Sequence, residues 1–286
     1  MKPLRHFGLG ILTALVCLIA TSASSLLAQP VVSIEQDPYR KLEELDTPWG
    51  LPDELTDRLA RRAAEYETAA PSLECRETTR SVRYPRSDRP AEGDAREATY
   101  LLTLEDGSMV PVRGHERSLS RSGRSAVPPA HAWTQLFASY HQPYFAYRDV
   151  GEVPYGFGTA RRIQFRGAVP HADGADIREW EGTVLVDSVS LLPLELDAQP
   201  FNLWPRLEHQ RREYAQSFKL VFFGLIIRFK PRPIAERVHV RFDMQDSGLT
   251  LPVEAYVETV EKIQADQAIV RSRLLASYEH GFTAIP

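Results

Sequence analysis

The feature that most constrains this chain is the alternation within Trp180–Leu196. Along Trp180-Glu181-Gly182-Thr183-Val184-Leu185-Val186-Asp187, Val184 and Val186 share one face. After Ser188-Val189-Ser190, Leu192, Leu194 and Leu196 share one face of a second run. A period of two is that of a strand with one buried side, and it does not fit a helix. Asp187 and the serines supply turn chemistry, because their side chains accept hydrogen bonds from nearby backbone N–H groups. The stretch therefore reads as a hairpin, and because its pattern recurs before and after, it is expected to lie mid-sheet.

Upstream, strands are expected over Leu73–Tyr84 and over Ala95–Leu104, where Ala98, Tyr100, Leu102 and Leu104 alternate. Glu105-Asp106-Gly107-Ser108 is a hairpin turn into Met109–Arg113. Gly151–Gly158 reads as a turn-rich loop, and Arg161–Arg166 as a strand burying Ile163 and Phe165. Downstream, Arg237–Asp243 places Val238, Val240 and Phe242 on one face and Arg237, His239, Arg241 and Asp243 on the other. Gly248–Val260 and Gln267–Tyr278 complete the run. Such strands, about nine or ten joined mostly by short links, predict an antiparallel sheet. Leu220–Phe229, the most apolar stretch after the amino terminus, is a buried strand or an exposed tip and is too short to span a membrane. The Arg/Glu-rich residues between Pro200 and Tyr214 read as a loop with a helical turn.

Two helical patterns accompany the strands. Pro52 at a first helical position, Asp53 and Glu54 in the first turn and Pro71 as terminator frame one of them. Its stripe is Leu55, Leu59, Ala63, Tyr66 and Ala70, which suits packing on a sheet. After Pro128-Pro129, Trp133, Leu136, Phe137 and Tyr140 fall at i, i+3, i+4 and i+7 of a short aromatic helix. That helix either completes the core or covers an apolar cavity.

Residues 1–28 have the form of a secretory signal: Lys2 and Arg5 before an apolar Gly8–Ala20, then small residues and a candidate cleavage after Ala28. Removing them takes the net charge from −4 to about −6. It also leaves Cys75 as the single cysteine, so no internal disulfide is expected and the core must supply the stability. No basic stripe recurs, so nucleic acid is not an expected partner. Residues 29–50 read as an extended arm with a helical turn at Tyr39–Leu45, and residues 114–127 as a mobile surface loop.

The Gly182–Asp187 strand followed by Ser190 and Pro193, the Gly248-Leu249-Thr250-Leu251-Pro252 entry to a strand, and the closing Ser277-Tyr278-Glu279-His280-Gly281-Phe282 resemble the LolA/LolB-like lipoprotein-carrier fold, as in exported bacterial proteins of that type. The resemblance spans Leu51–Phe282. It implies a β-rich α+β domain over residues 51–286: a curved antiparallel sheet, or half-barrel, with an N-terminal helix and a short inserted aromatic helix. It implies an acyl-chain cavity and carries over no catalytic residue.

The residues offer little chemistry of their own. His171, Asp173 and Asp176 lack the pattern of a calcium loop and read as turn residues. No G-x-S-x-G elbow frames a serine. Cys75 is expected to be a buried structural thiol, and His131 and His141 are expected to face solvent. The expectation is therefore a periplasmic, monomeric, non-catalytic envelope protein without metal or cofactor and with no transmembrane span in its mature form. It would bind a lipid or lipoprotein acyl chain through Trp133, Leu136, Phe137, Tyr140, Val184, Val186, Leu192, Leu194 and Val240. The alternative is a structural or protein-interaction envelope protein with a filled core.

Overall fold

A computed structural model of the chain describes residues 31–33, 48–69, 73–84, 91–93, 95–105, 108–115, 130–169, 178–221, 233–245 and 248–282. The signal segment, the helical turn at Tyr39–Leu45, the surface loop beyond His115, His171–Asp176 and the apolar residues after Val221 lie outside them, while Gly114 and His115 end a strand.

Among the described residues, twelve strands form one antiparallel sheet: β1 (Val31–Ser33), β2 (Leu73–Arg83), β3 (Ala91–Glu92), β4 (Arg96–Glu105), β5 (Ser108–His115), β6 (Phe145–Tyr155), β7 (Gly158–Val169), β8 (Arg178–Asp187), β9 (Pro193–Pro200), β10 (Ile234–Met244), β11 (Thr250–Lys262) and β12 (Gln267–Phe282). Ten of them run in the order β5-β4-β2-β12-β11-β10-β9-β8-β7-β6, with β1 beside β12 and β3 beside β2. The sheet is curved and unclosed, so the half-barrel expected from the sequence is the observed architecture. The β8–β9 hairpin is interior but lies toward the β6 edge, and β12, β11 and β10 hold the centre. Gly151–Gly158 is not a loop. It belongs to a hairpin in which β6 continues to Tyr155, with a register shift between Asp149 and Gly151 and a turn at Gly156-Phe157. A bulge absorbs the residue that breaks the alternation, so the strand continues past Gly151.

Strands β5 and β6 are adjacent in sequence but stand at opposite ends of the strand path. The chain between them must cross the molecule, and the part described, Ala130–Tyr144, does so against α1 (Asp53–Ala69), β5 and β11. It is two short 3-10 turns, Ala130–Gln135 and Gln142–Tyr144, joined by tight turns rather than a continuous α-helix. Trp133 packs edge-on against Trp180 at 5.7 Å and tilted over Phe165 at 5.9 Å. Helix α1 buries Leu55, Leu59, Ala63 and Tyr66, as its stripe predicts. Together these residues and the inward positions of β6–β12 make the main core.

A second helix, α2 (Leu203–Val221), replaces the expected loop after Pro200. It buries Leu203, Trp204 and Leu207 against Ala235, Val260, Ala268 and Val270. Ala235 lies three residues from Val238 on an unbroken stretch of β10, so it points to the opposite face. The sheet is thus covered on both faces at this end. No helix among the described residues is long and apolar enough to cross a membrane.

Candidate functional site

The concave face meets α1 at a seam. Leu59, Ala63 and Tyr66 come from the helix, Trp133, Thr134 and Phe137 from the aromatic segment, and Val184, Leu191, Leu192, Pro193, Leu249 and Thr250 from the sheet side. They enclose a space of about 30 Å³, room for roughly one water molecule. The ion pair between Arg62 and Glu65, 2.7 Å long and half-exposed, borders it. The Trp133 indole N–H and the Thr250 hydroxyl are buried here without a hydrogen-bond partner. Such orphaned groups are uncommon in folded proteins and call for an explanation.

Of the residues expected to contact a ligand, Trp133, Phe137, Val184 and Leu192 line this seam. Leu136, Val186 and Val240 are packed into the main core instead. Tyr140 and Leu194 are half-buried and lie outside the lining. Tyr140 stands beside Glu67 of α1, and burial, with that carboxylate second, raises its phenol.

The turn between β8 and β9 fixes the position of α1. One oxygen of Asp187 accepts from the N–H of Val189 at 3.1 Å and from both the N–H and the hydroxyl of Ser190, at 2.7 and 2.8 Å. These bonds, led by the Ser190 N–H, hold its carboxyl below the usual range. The carbonyls this leaves pointing outward are taken by α1: Arg58 donates to Val189 at 3.0 Å and Arg62 to Ser190 at 2.9 Å. The turn is legible in the sequence and the latch is not, because nothing local to Arg58 or Arg62 marks a partner more than a hundred residues away.

His131 and His141 do not face solvent as expected. His131 is 1% exposed and His141 is also buried, its Nδ1–H donating to the Gln135 carbonyl at 2.8 Å. In the tight turns of the segment both imidazoles are directed inward. His131 Nδ1 is 2.9 Å from the Tyr66 hydroxyl, and its ring meets His280 edge-on at 5.4 Å. Cys75 on β2 stands opposite His280 on β12 in the antiparallel register, so the two side chains share a face. One donor atom each from Cys75, His131 and His280 lies within 4.8 Å of the others. Burial holds His131 down to about 3, with the charge of His280 a second cause, and holds His280 to about 4. No sequence spacing links residues so far apart.

Glu195, Asp197 and His239 form another cluster on the opposite face of the sheet. Here both ring nitrogens are engaged, Nδ1 with Asp197 at 2.8 Å and Nε2 with Glu195 at 3.3 Å. The ring also stacks on Tyr256, 4.6 Å away. This is a satisfied cross-strand network.

No protein-family model matches the chain, and no curated protein matches it. Among solved structures, it is similar to a DUF1329 family protein from Desulfovibrio piger, at 11% identity over 83% of this chain and 95% of that one, with a TM-score of 0.41. It is also similar to a LolA superfamily protein from Nitrosomonas europaea, at 9% identity over 81% and 94% of the two chains, with a TM-score of 0.34. These are likenesses of fold, and what the site does rests on the residues of this chain.

Proposed function

We propose that this chain is an exported, non-catalytic envelope protein that binds an acyl group at the seam between α1 and the sheet. In the state described, its own helix and aromatic segment occupy the concave face. The observation that carries the reading is the seam itself. It is an apolar pocket whose only orphaned hydrogen-bonding groups among the lining residues, the Trp133 N–H and the Thr250 hydroxyl, suit the oxygen of an ester or carboxyl head. An acyl chain is far larger than a space of about 30 Å³, so binding requires α1 to lift from the β8–β9 turn. Export rests on the Lys2, Arg5 and Gly8–Ala20 pattern and is tested by sequencing the amino terminus of periplasmic material, expected near Gln29.

The smallness of that same space favours a second reading, a scaffold with a filled core. A fluorescent fatty-acyl probe separates the two. Under the binding reading, the probe changes Trp133 emission saturably, and Phe137→Ala weakens that change more than it lowers Tm. Under the scaffold reading, no saturable change is seen, and the same truncation costs about 3–5 kcal/mol, the range for a buried phenylalanine.

A further inference from the structure

The geometry points to a metal site: Cys75, His131 and His280 bind one copper(I) ion in a three-coordinate thiolate–bis-imidazole arrangement. Three observations meet there. The donor atoms of the three residues already lie within 4.8 Å of one another, although they come from β2, the aromatic segment and β12. An ion with bonds of about 2.0–2.3 Å spaces three ligands roughly 3.5–4 Å apart, so the cluster needs to close by about 1 Å. His280 is the partly exposed member of the three.

Second, both ring nitrogens of His280 are buried and have no hydrogen-bond partner, which leaves a strong donor–acceptor side chain unexplained by the fold. A bound ion would satisfy one of them. Third, Tyr66 of α1 meets Nδ1 of His131 at 2.9 Å. A hydrogen bond to one imidazole nitrogen fixes the ring and presents Nε2 for coordination. With Nδ1–H donating to the Tyr66 oxygen, Nε2 carries the lone pair.

The identity of the ion follows from charge. A desolvated site penalises net charge heavily. Imidazole coordinates as the neutral base, so one thiolate with a monovalent ion leaves the site uncharged, whereas a divalent ion leaves it positive. Thiolate sulfur is soft and imidazole suits copper, which selects copper(I) among monovalent ions. On binding, the Cys75 thiol releases its proton to solvent as the sulfur takes the metal, with no change in oxidation state.

The test uses the purified protein under anaerobic, reducing conditions, titrated with copper(I) against bicinchoninate as a coloured competitor. One equivalent should be taken from the competitor. Loss of a hydrogen-bond partner behind a ligating imidazole usually costs roughly 10–100-fold, so Tyr66→Phe should weaken binding within that range, and Cys75→Ser and His280→Gln should weaken it further. Failure of the protein to compete for copper(I), or undiminished binding by Cys75→Ser, would overturn the site. Preference for zinc over copper(I) would overturn the assignment of the ion. Should a variant fail to fold, X-ray absorption of the copper-loaded wild type decides. One sulfur and two nitrogens support the site, and a shell without sulfur refutes it.

Discussion

Val240 has no exposed surface and lies on β10 between strands β9 and β11, while Arg241 beside it faces solvent and pairs with Glu254 at 3.1 Å. An aspartate at position 240 must be buried charged without a partner or take up a proton. Val240→Asp is therefore expected to cost several kcal/mol. Arg241→Asp removes only an exposed pair, worth under about 1 kcal/mol. Paired thermal melts check this, and equal losses of Tm would show that β10 is not half-buried. Glu208 of α2 carries a different kind of prediction. Its carboxylate accepts from Arg211 and Arg212 at 2.8 Å each and stands 3.5 Å from the buried ammonium of Lys262 on β11. The Arg211 hydrogen bonds, then those of Arg212 and the neighbouring charges, draw it from 4.5 to about 2 despite partial desolvation. A depressed carboxylate stabilises the fold fully above its unfolded value and loses that contribution as pH falls through the folded one. Denaturant midpoints measured from about pH 5 down to about pH 2 should fall more steeply for the wild type than for Glu208→Gln, which has no such proton to gain.

At the scale of elements, the β7–β8–β9 contact depends on a missing side chain. A Cβ at Gly182 would run into the Phe165 ring and the Asp197 carbonyl. Phe165 is among the largest fully buried side chains and has no space to retreat. Gly182→Ala is therefore expected to cost about 1–3 kcal/mol by overpacking, measured by urea unfolding, and a neutral result would mean the strands can separate locally. The sequence shows why this hairpin was readable. Val184, Val186 and Leu196 alternate cleanly, and Asp187 marks the turn. Helix α2 was not readable, because its buried residues Leu203, Trp204 and Leu207 crowd the first turns and an Arg/Glu-rich run follows. Pro205 looks like a breaker, yet in the first turn a helix has no N–H bond to lose there. The acyl seam was half-legible. Trp133 and Phe137 announced burial, but which face they cover depends on a crossing from one end of the sheet to the other. The Cys75–His280 pairing was invisible, since it arises only from the register of β2 against β12.

For the molecule as a whole, the open sheet explains why α1 and the aromatic segment lie where they do. A curved sheet of ten consecutive strands exposes an apolar concave face between its free ends, and something must cover it. The chain itself does so, since the link from β5 to β6 has to traverse that face, and α1 packs on the link. The cover is fastened unevenly. The aromatic segment is set deep among Trp180, Phe165 and Tyr147, whereas α1 is also held by two arginine bonds to the carbonyls of a surface turn. Each such bond contributes about 1–3 kcal/mol at most, and both involve side chains that water can reach. The helix should therefore release before the sheet does. In the double variant Arg58→Ala/Arg62→Ala, amide exchange in α1 is expected to speed up, while β10, β11 and β12 keep their protection. Hydrogen exchange followed by mass spectrometry reads both at once. If α1 is the movable cover of an acyl site, the same variant should also take up the fatty-acyl probe more readily, because opening then costs less. Faster exchange in α1 without a gain in probe uptake would leave the helix a detachable part of a filled core. Equal acceleration in α1 and the central strands would show that the molecule opens only as one unit.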